Sequence, residues 1–256
     1  MLAGQGRPAG WTVGAARDRE WNMGAIRSRL RRWHVWLGWL VGLPFLFWTV
    51  SGLVMVAKPI EEVRGEHLIA KPKPISVAGP LVAPNVEGRP VIAITLEPRA
   101  GGPRWEIDFA DGESRLADPA TGRLLPRLGA ADASRELMAR YQGTAKVAEV
   151  TRVEADSPPL ELRRAMNGWR VRMDDDTHFY VDGGSGEIVA RRTSWWRIYD
   201  FMWGLHIMDL QGREDTNNPW VVSFAMLSLG MVLLAFALLP MTIRRKNGKN
   251  GSGSGM

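Results

Sequence analysis

The chain has no cysteine among its 256 residues. That excludes disulfides, thiolate-held iron–sulfur clusters and covalently attached c-type haem, which needs C-x-x-C-H. Haem held by histidine alone is not excluded, but histidine is scarce too, with four in the chain. The phosphate-cradling G-x-x-x-x-G-K-[ST], a G-x-G-x-x-G opening a helix, H-E-x-x-H and G-x-S-x-G are all missing. The sequence therefore carries no self-contained enzyme motif. Charge is missing from two long stretches, Val35–Ala57 and Pro219–Ile243.

Each uncharged stretch exceeds 20 residues. At about 1.5 Å per residue, each is long enough to cross a hydrocarbon layer of about 30 Å. A soluble core helix of that length would show a polar face, so the reading is two transmembrane helices. The first is too long for a signal-peptide core and has about thirty residues before it, so it is read as an uncleaved anchor. Arg27, Arg29, Arg31 and Arg32 precede the first stretch, and Arg244, Arg245 and Lys246 follow the second. Two basic flanks predict two cytoplasmic termini. The central region then lies outside, in the periplasm of a bacterium with two membranes. The net charge of +6 owes much to these flanks, so it does not argue for nucleic acid as a partner. Eight of the twelve tryptophans lie in or beside the apolar stretches, as expected of a belt at the headgroup level.

The predicted order is a cytoplasmic tail over 1–30, a first spanning helix over 31–57 and a periplasmic domain over 58–194. An interfacial helix and loop over 195–218 follow, then a second spanning helix over 219–243 and a tail over 244–256. The first twenty-odd residues, rich in Gly and Arg, read as disordered, and the last nine as a flexible linker. In the first helix Gly38 and Gly42 form G-x-x-x-G, which predicts close packing against the second helix or another subunit.

The central region repeats itself. Arg104–Leu125 aligns with Gly168–Val189 at an offset of 64 residues, matching Trp105 to Trp169, Asp118 to Asp182 and Gly122 to Gly186. Each copy reads as strand, turn, strand and then D-x-x-[TS]-G-x-[LI]. In that step Asp caps local N–H groups and Gly accepts a positive φ. Asp132 to Tyr141 is a helix candidate between the copies. The fold class is thus membrane α+β: two spanning helices bracketing two small sheets, each with a helix, over about 76–130 and 131–194. Arg163, Arg164, Arg170 and Arg172 stand near Asp174–Asp176 and read as a solvated strand face and turn. His178 has no partner at metal-ligand spacing and reads as structural or surface.

Arg31–Val54, Asp118–Leu124, Asp182–Ile188 and Trp203–Asp209 together resemble the PepSY-associated transmembrane proteins. The first segment has the basic start, His, L-G pair and later S-G-L of that family's first helix. The D-P-A-T-G-R-L and D-G-G-S-G-E-I turns resemble PepSY modules, and W-G-L-H-I-M-D resembles the family's L-H motif. The resemblance implies a bacterial inner-membrane protein. Larger relatives are linked to ferric-siderophore reduction, carry b-type haem on membrane histidines, or are fused to flavin reductase modules. This chain has two spanning helices where those have four or more, and no flavin or nicotinamide module.

Three histidines are candidate haem ligands. His34 stands at the cytoplasmic start of the first helix, where a residue snorkelling beside the arginines is the plain alternative. His206 stands at the outer lip near Asp209, which could orient it for ligation or simply bond it. His34 and His206 lie a membrane thickness apart and cannot share a haem. His67 or a second subunit would have to complete a site at His206. Two functions remain open: a redox-associated subunit, with b-haem electron transfer linked to iron uptake or respiration, and a non-enzymatic adaptor binding a periplasmic partner. Peptidase inhibition is a remoter third. Both main readings expect the bilayer and a membrane-protein partner or a second copy of the chain.

Overall fold

A computed structural model describes residues 11–77 and 79–249, with side-chain surroundings for 25–77 and 79–240. The chain divides into two compact units. One is Val54–Trp203. The other joins the two end segments, up to Leu53 and from Gly204 onward.

The middle unit holds the two sheets. Strands β1 (Val91–Arg99), β2 (Gly102–Phe109) and β3 (Ser114–Ala117) form an antiparallel sheet in the order β1-β2-β3. Helix α3 (Ala130–Arg140) then leads into β4 (Val147–Val153), β5 (Gly168–Met173), β6 (His178–Asp182) and β7 (Ile188–Arg192), an antiparallel sheet in chain order. Short helical turns at Ile60–Val63 (α2) and Glu66–Leu68 precede the sheets.

The duplication is visible in backbone detail. In both copies the turn aspartate gathers the local amides. Asp118 Oδ1 accepts from the N–H of Ala120 and Thr121 at 2.9 and 3.0 Å. Asp182 Oδ1 accepts from Gly184 and Ser185 at 2.9 and 2.8 Å. Gly122 and Gly186 close these turns at φ of 68° and 74°, a conformation that a side chain disfavours. The matched tryptophans also act alike. Trp105 donates its indole N–H to Val82 O, and Trp169 donates to Leu128 O, both at 2.8 Å.

The copies differ in what covers them. α3 presents Ala133 and Leu137, one turn apart, to Val171, Met173, Phe179 and Val181, and all six are fully buried. The expected helix for the first copy is absent among the described residues. Its Ile107, Phe109 and Ala117 are packed instead by Val86, Val91 and Leu124. Extended chain over 81–86 is pinned there by Val82 N–H to Pro119 O and Asn85 N–H to Gly122 O. Pro80, Pro84 and Pro90 flank or interrupt this segment, and proline inside a helix breaks its ladder.

In the other unit, α1 runs as one helix from Trp11 to Met55 with Pro44 inside it, and α5 runs from Pro219 to Lys249. Between them α4 (Ser194–His206) crosses from one unit to the other along the chain. Both long helices outrun their expected ends. The tail expected to be disordered is helical from Trp11, where Ala15, Ala16, Arg17, Arg19, Glu20 and Met23 are good helix formers. Residues 1–10 and 250–256 lie outside the described residues.

Among the described residues, two helices are long and apolar enough to cross a membrane, within Ala25–Met55 and Pro219–Pro240. Only 11% of the most apolar window in the first is buried, and none of that in the second. A soluble core helix would be mostly buried. α1 and α5 meet at Phe45 and Phe224, whose ring centroids lie 6.5 Å apart. Gly38 and Gly42 do not mediate that contact: a Cβ on either would meet nothing within 4 Å. The expected G-x-x-x-G seam is therefore not used within the chain.

The copies touch at Gly184, where a Cβ would lie 1.9 Å from Ser114 O. Gly184→Ala should destabilise the full chain by about 1–3 kcal/mol through forced backbone displacement. Gly101→Ala, whose Cβ would meet only the movable end of Arg104, should cost under about 0.5 kcal/mol. Denaturant unfolding in detergent, followed by tryptophan fluorescence, checks the pair.

Candidate functional site

Two segments far apart in sequence meet in the end unit. The S-G pair of α1 sits one turn above Trp48. Ser51 donates its hydroxyl to Trp48 O at 2.8 Å, and Ser51 is fully buried. His206, the last residue of α4, lies over this turn. Its ring stacks on the Trp48 indole with centroids 4.5 Å apart and planes 22° from parallel. Its Nδ1 lies 3.0 Å from Ser51 Oγ and 3.1 Å from Trp48 O.

These contacts suit one tautomer. The carbonyl can only accept, so a hydrogen on Nδ1 bonds it, and the neutral tautomer with that hydrogen has its lone pair on Nε2. Gly52 makes the approach possible, since a Cβ there would lie 3.3 Å from His206 Cε1.

The loop after His206 supports itself. Asp209 does not orient the histidine, contrary to one expectation. Its Oδ1 accepts from Gly212 N–H at 3.0 Å, and its Oδ2 from Glu214 and Asp215 N–H at 3.1 and 3.2 Å. The amides of Asp215, Glu214 and Gly212 hold its carboxyl below the usual carboxylate range. A short carboxylate beside a glycine turn satisfies its own loop first. Asn218 completes the segment. Its Oδ1 caps α5 by accepting from Trp220 and Val221 N–H, both at 3.1 Å. Its Nδ2 donates to Ile207 O and Asp215 O, both at 2.8 Å. Beside the staple is an apolar groove of about 410 Å³, lined by Leu43, Pro44, Phe47, Trp48, Leu205 and Trp220 among others.

Within the end unit, His34 and His206 are not brought together. His34 lies 17 residues before Ser51 on the same helix, about 25 Å along its axis. It is half-buried, and its Nδ1 has no hydrogen-bond partner among the described residues. His67 is exposed on the 3-10 turn of the other unit. A b-type haem with two axial histidines needs both nitrogens near 2 Å from the metal. The end unit holds His34 and His206, too far apart along α1 to share one metal. A bis-histidine haem does not fit the residues of that unit.

The middle unit holds a second polar cluster. His178 does have carboxylate partners: its Nδ1 lies 2.6 Å from Glu161 Oε1, and its Nε2 lies 3.5 Å from Asp176 Oδ1. Tyr180 donates to the same Glu161 oxygen at 2.5 Å, and Arg197 Nε to Oε2 at 3.2 Å. Burial raises the Glu161 carboxyl. The bonds from His178 and Tyr180 and the charges of His178 and Arg197 outweigh it, so the group falls to about 2. Burial, and then Glu161 itself, push the Tyr180 hydroxyl up. Arg192 lies 4.1 Å over the Trp196 ring, and Arg163 pairs with Asp200 of α4. Arg163 therefore does not belong with the acidic turn at 174–176. Arg172 pairs across strands with Glu149 at 3.1 Å. This cluster binds the start of α4 to the second sheet.

Comparisons with models of protein families, with curated proteins and with solved structures return no match.

A double-mutant cycle of Ser51→Ala and His206→Ala should show a coupling of about 0.5–1.5 kcal/mol. Asp209→Ala should instead be additive with Ser51→Ala. Unfolding of the full chain in detergent measures both. The second cluster predicts acid sensitivity. Glu161 has its folded value lowered from 4.5 to about 2. Its contribution is complete above about 4.5 and is lost as pH falls from there through 2. The loss is at most about 3 kcal/mol. Glu161→Gln should flatten the stability profile over that interval, read from denaturant midpoints against pH.

Proposed function

We propose that this chain is a membrane-anchored accessory subunit of a redox system, and that the electron carrier belongs to a partner subunit. The observation that carries this reading is the use of His206. Two motifs behind the family resemblance, the S-G of the first helix and the H of W-G-L-H, lie 155 residues apart and bond to each other. Their shared task is to fasten α4 to α1, which needs no cofactor. The duplicated α+β module is then the part offered to a protein partner. The redox setting, in iron uptake or respiration, rests on the resemblance to PepSY-associated transmembrane proteins. In this reading the two apolar helices span a bacterial inner membrane with both termini cytoplasmic and the module periplasmic.

A second reading has one observation in its favour. The Nε2 lone pair of His206 is free of its tethering bonds, and an apolar groove lies beside the staple. A haem there would take His206 as one axial ligand and draw the other from a different subunit. The chain's own part would be to hold the ring and its tautomer through Ser51 and Trp48.

A reduced-minus-oxidised visible spectrum separates the readings. The chain purified alone should show no haem band, and a cofactor-bearing subunit should copurify from native membranes. A haem band in the isolated chain, lost in His206→Ala and kept in His178→Ala, would establish the second reading. Reporter fusions at either terminus should report the cytoplasm, and a fusion after Gly101 the periplasm.

A further inference from the structure

Arg27, Arg29, Arg31 and Arg32 leave α1 within two turns, just before its uncharged stretch. The last three are exposed and Arg27 is half-buried. No acidic residue occurs between Glu20 and Glu61, so this length of helix supplies no counter-charge of its own. Arg27 and Arg31 are also four residues apart, where like charges on a helix oppose each other. An anion between them would turn that repulsion into attraction.

Two hollows form at this collar. One, of about 520 Å³, is lined among the described residues by Arg27, Ser28, Arg31, Arg32 and Val35. The other, of about 350 Å³, is lined by Arg29, Arg32, Trp33 and Trp36. Arg32 borders both. Each hollow is amphipathic along the helix: guanidinium groups at the end toward the terminus, and Val35 or Trp36 at the end toward the apolar stretch. Trp33 and Trp36 are 65% and 69% exposed, and indoles favour the headgroup zone. A soluble anion would use only the arginine end. An amphiphile with a phosphate head and an acyl chain uses both.

We propose that this collar is a binding site for anionic phospholipid, with headgroup phosphates held by Arg27 and Arg31 on one face and by Arg29 and Arg32 on the next. The proposal rests on the spanning reading of α1 and adds a lipid preference that spanning alone does not require.

The test uses the full chain reconstituted in phosphatidylcholine bilayers with trace spin-labelled phosphatidylglycerol or phosphatidylcholine. Restricted motion of the phosphatidylcholine label reports insertion. Stronger restriction of the phosphatidylglycerol label reports the site. The expected result is a preference for phosphatidylglycerol that falls about fivefold for each arginine removed in Arg31→Gln and Arg32→Gln. It should weaken in high salt, resist millimolar inorganic phosphate, and survive Arg152→Gln. Restriction of the neutral label with no preference between lipids would overturn the collar alone. A preference unchanged in the double variant, or abolished by inorganic phosphate, would also overturn it. No restriction of either label would overturn the spanning reading and the collar with it.

Discussion

A single bifurcated hydrogen bond organises the end unit. The Nδ1–H of His206 is shared by Ser51 Oγ and Trp48 O. Trp48 O belongs to a helix whose apolar window is almost wholly unburied. A polar group taken out of water without a partner costs free energy, so the imidazole, the serine hydroxyl and the carbonyl are each better off together than apart. The rest of the motif follows from that placement. A Cβ at Gly52 would crowd the imidazole at 3.3 Å, Trp48 supplies the stacking face, and the loop beyond turns away. Asp209 and Asn218 make that turn self-sufficient by spending their side chains on its amides and carbonyls.

The middle unit works by the same economy with a different chemistry. Each copy spends one aspartate and one glycine on its turn and one tryptophan on a neighbouring carbonyl. What varies is the cover over the sheet. A helix contributing Ala133 and Leu137 serves the second copy, and a proline-punctuated extended segment serves the first. Both solutions leave the sheet residues under them buried, so the duplicated turn tolerates two kinds of roof.

Local features were the legible ones. Lack of charge marked the two long helices and D-x-x-[TS]-G marked the paired turns, because each depends on residues a few positions apart. The partners of the histidines were not legible. Ser51 lies 155 residues from His206 and Glu161 lies 17 from His178, and neither spacing belongs to a helix or a strand. Asp209 was the natural guess for His206 because it is close in sequence, yet a short carboxylate beside a glycine turn satisfies its own loop first. The glycines of G-x-x-x-G permit a close helix contact without compelling one, and within this chain Phe45 and Phe224 make the contact instead. The missing roof helix of the first copy could have been read from Pro80, Pro84 and Pro90, a local signal that the repeat pattern overshadowed.

The staple also bears on how a histidine in such a motif should be weighed. Tethering Nδ1–H to a carbonyl is what a metal-binding imidazole needs, since it orients the ring and leaves Nε2 free. The same tether is sufficient reason for the residue when the task is to join two helices in an apolar setting. The geometry of one histidine cannot separate these uses, but the geometry of a pair can, because two axial ligands must converge on one metal. Here His34 lies about 25 Å away along α1 and His67 belongs to the other unit. Convergence within the end unit fails on distance rather than on chemistry. Within the end unit, the staple is what ties W-G-L-H to the first helix.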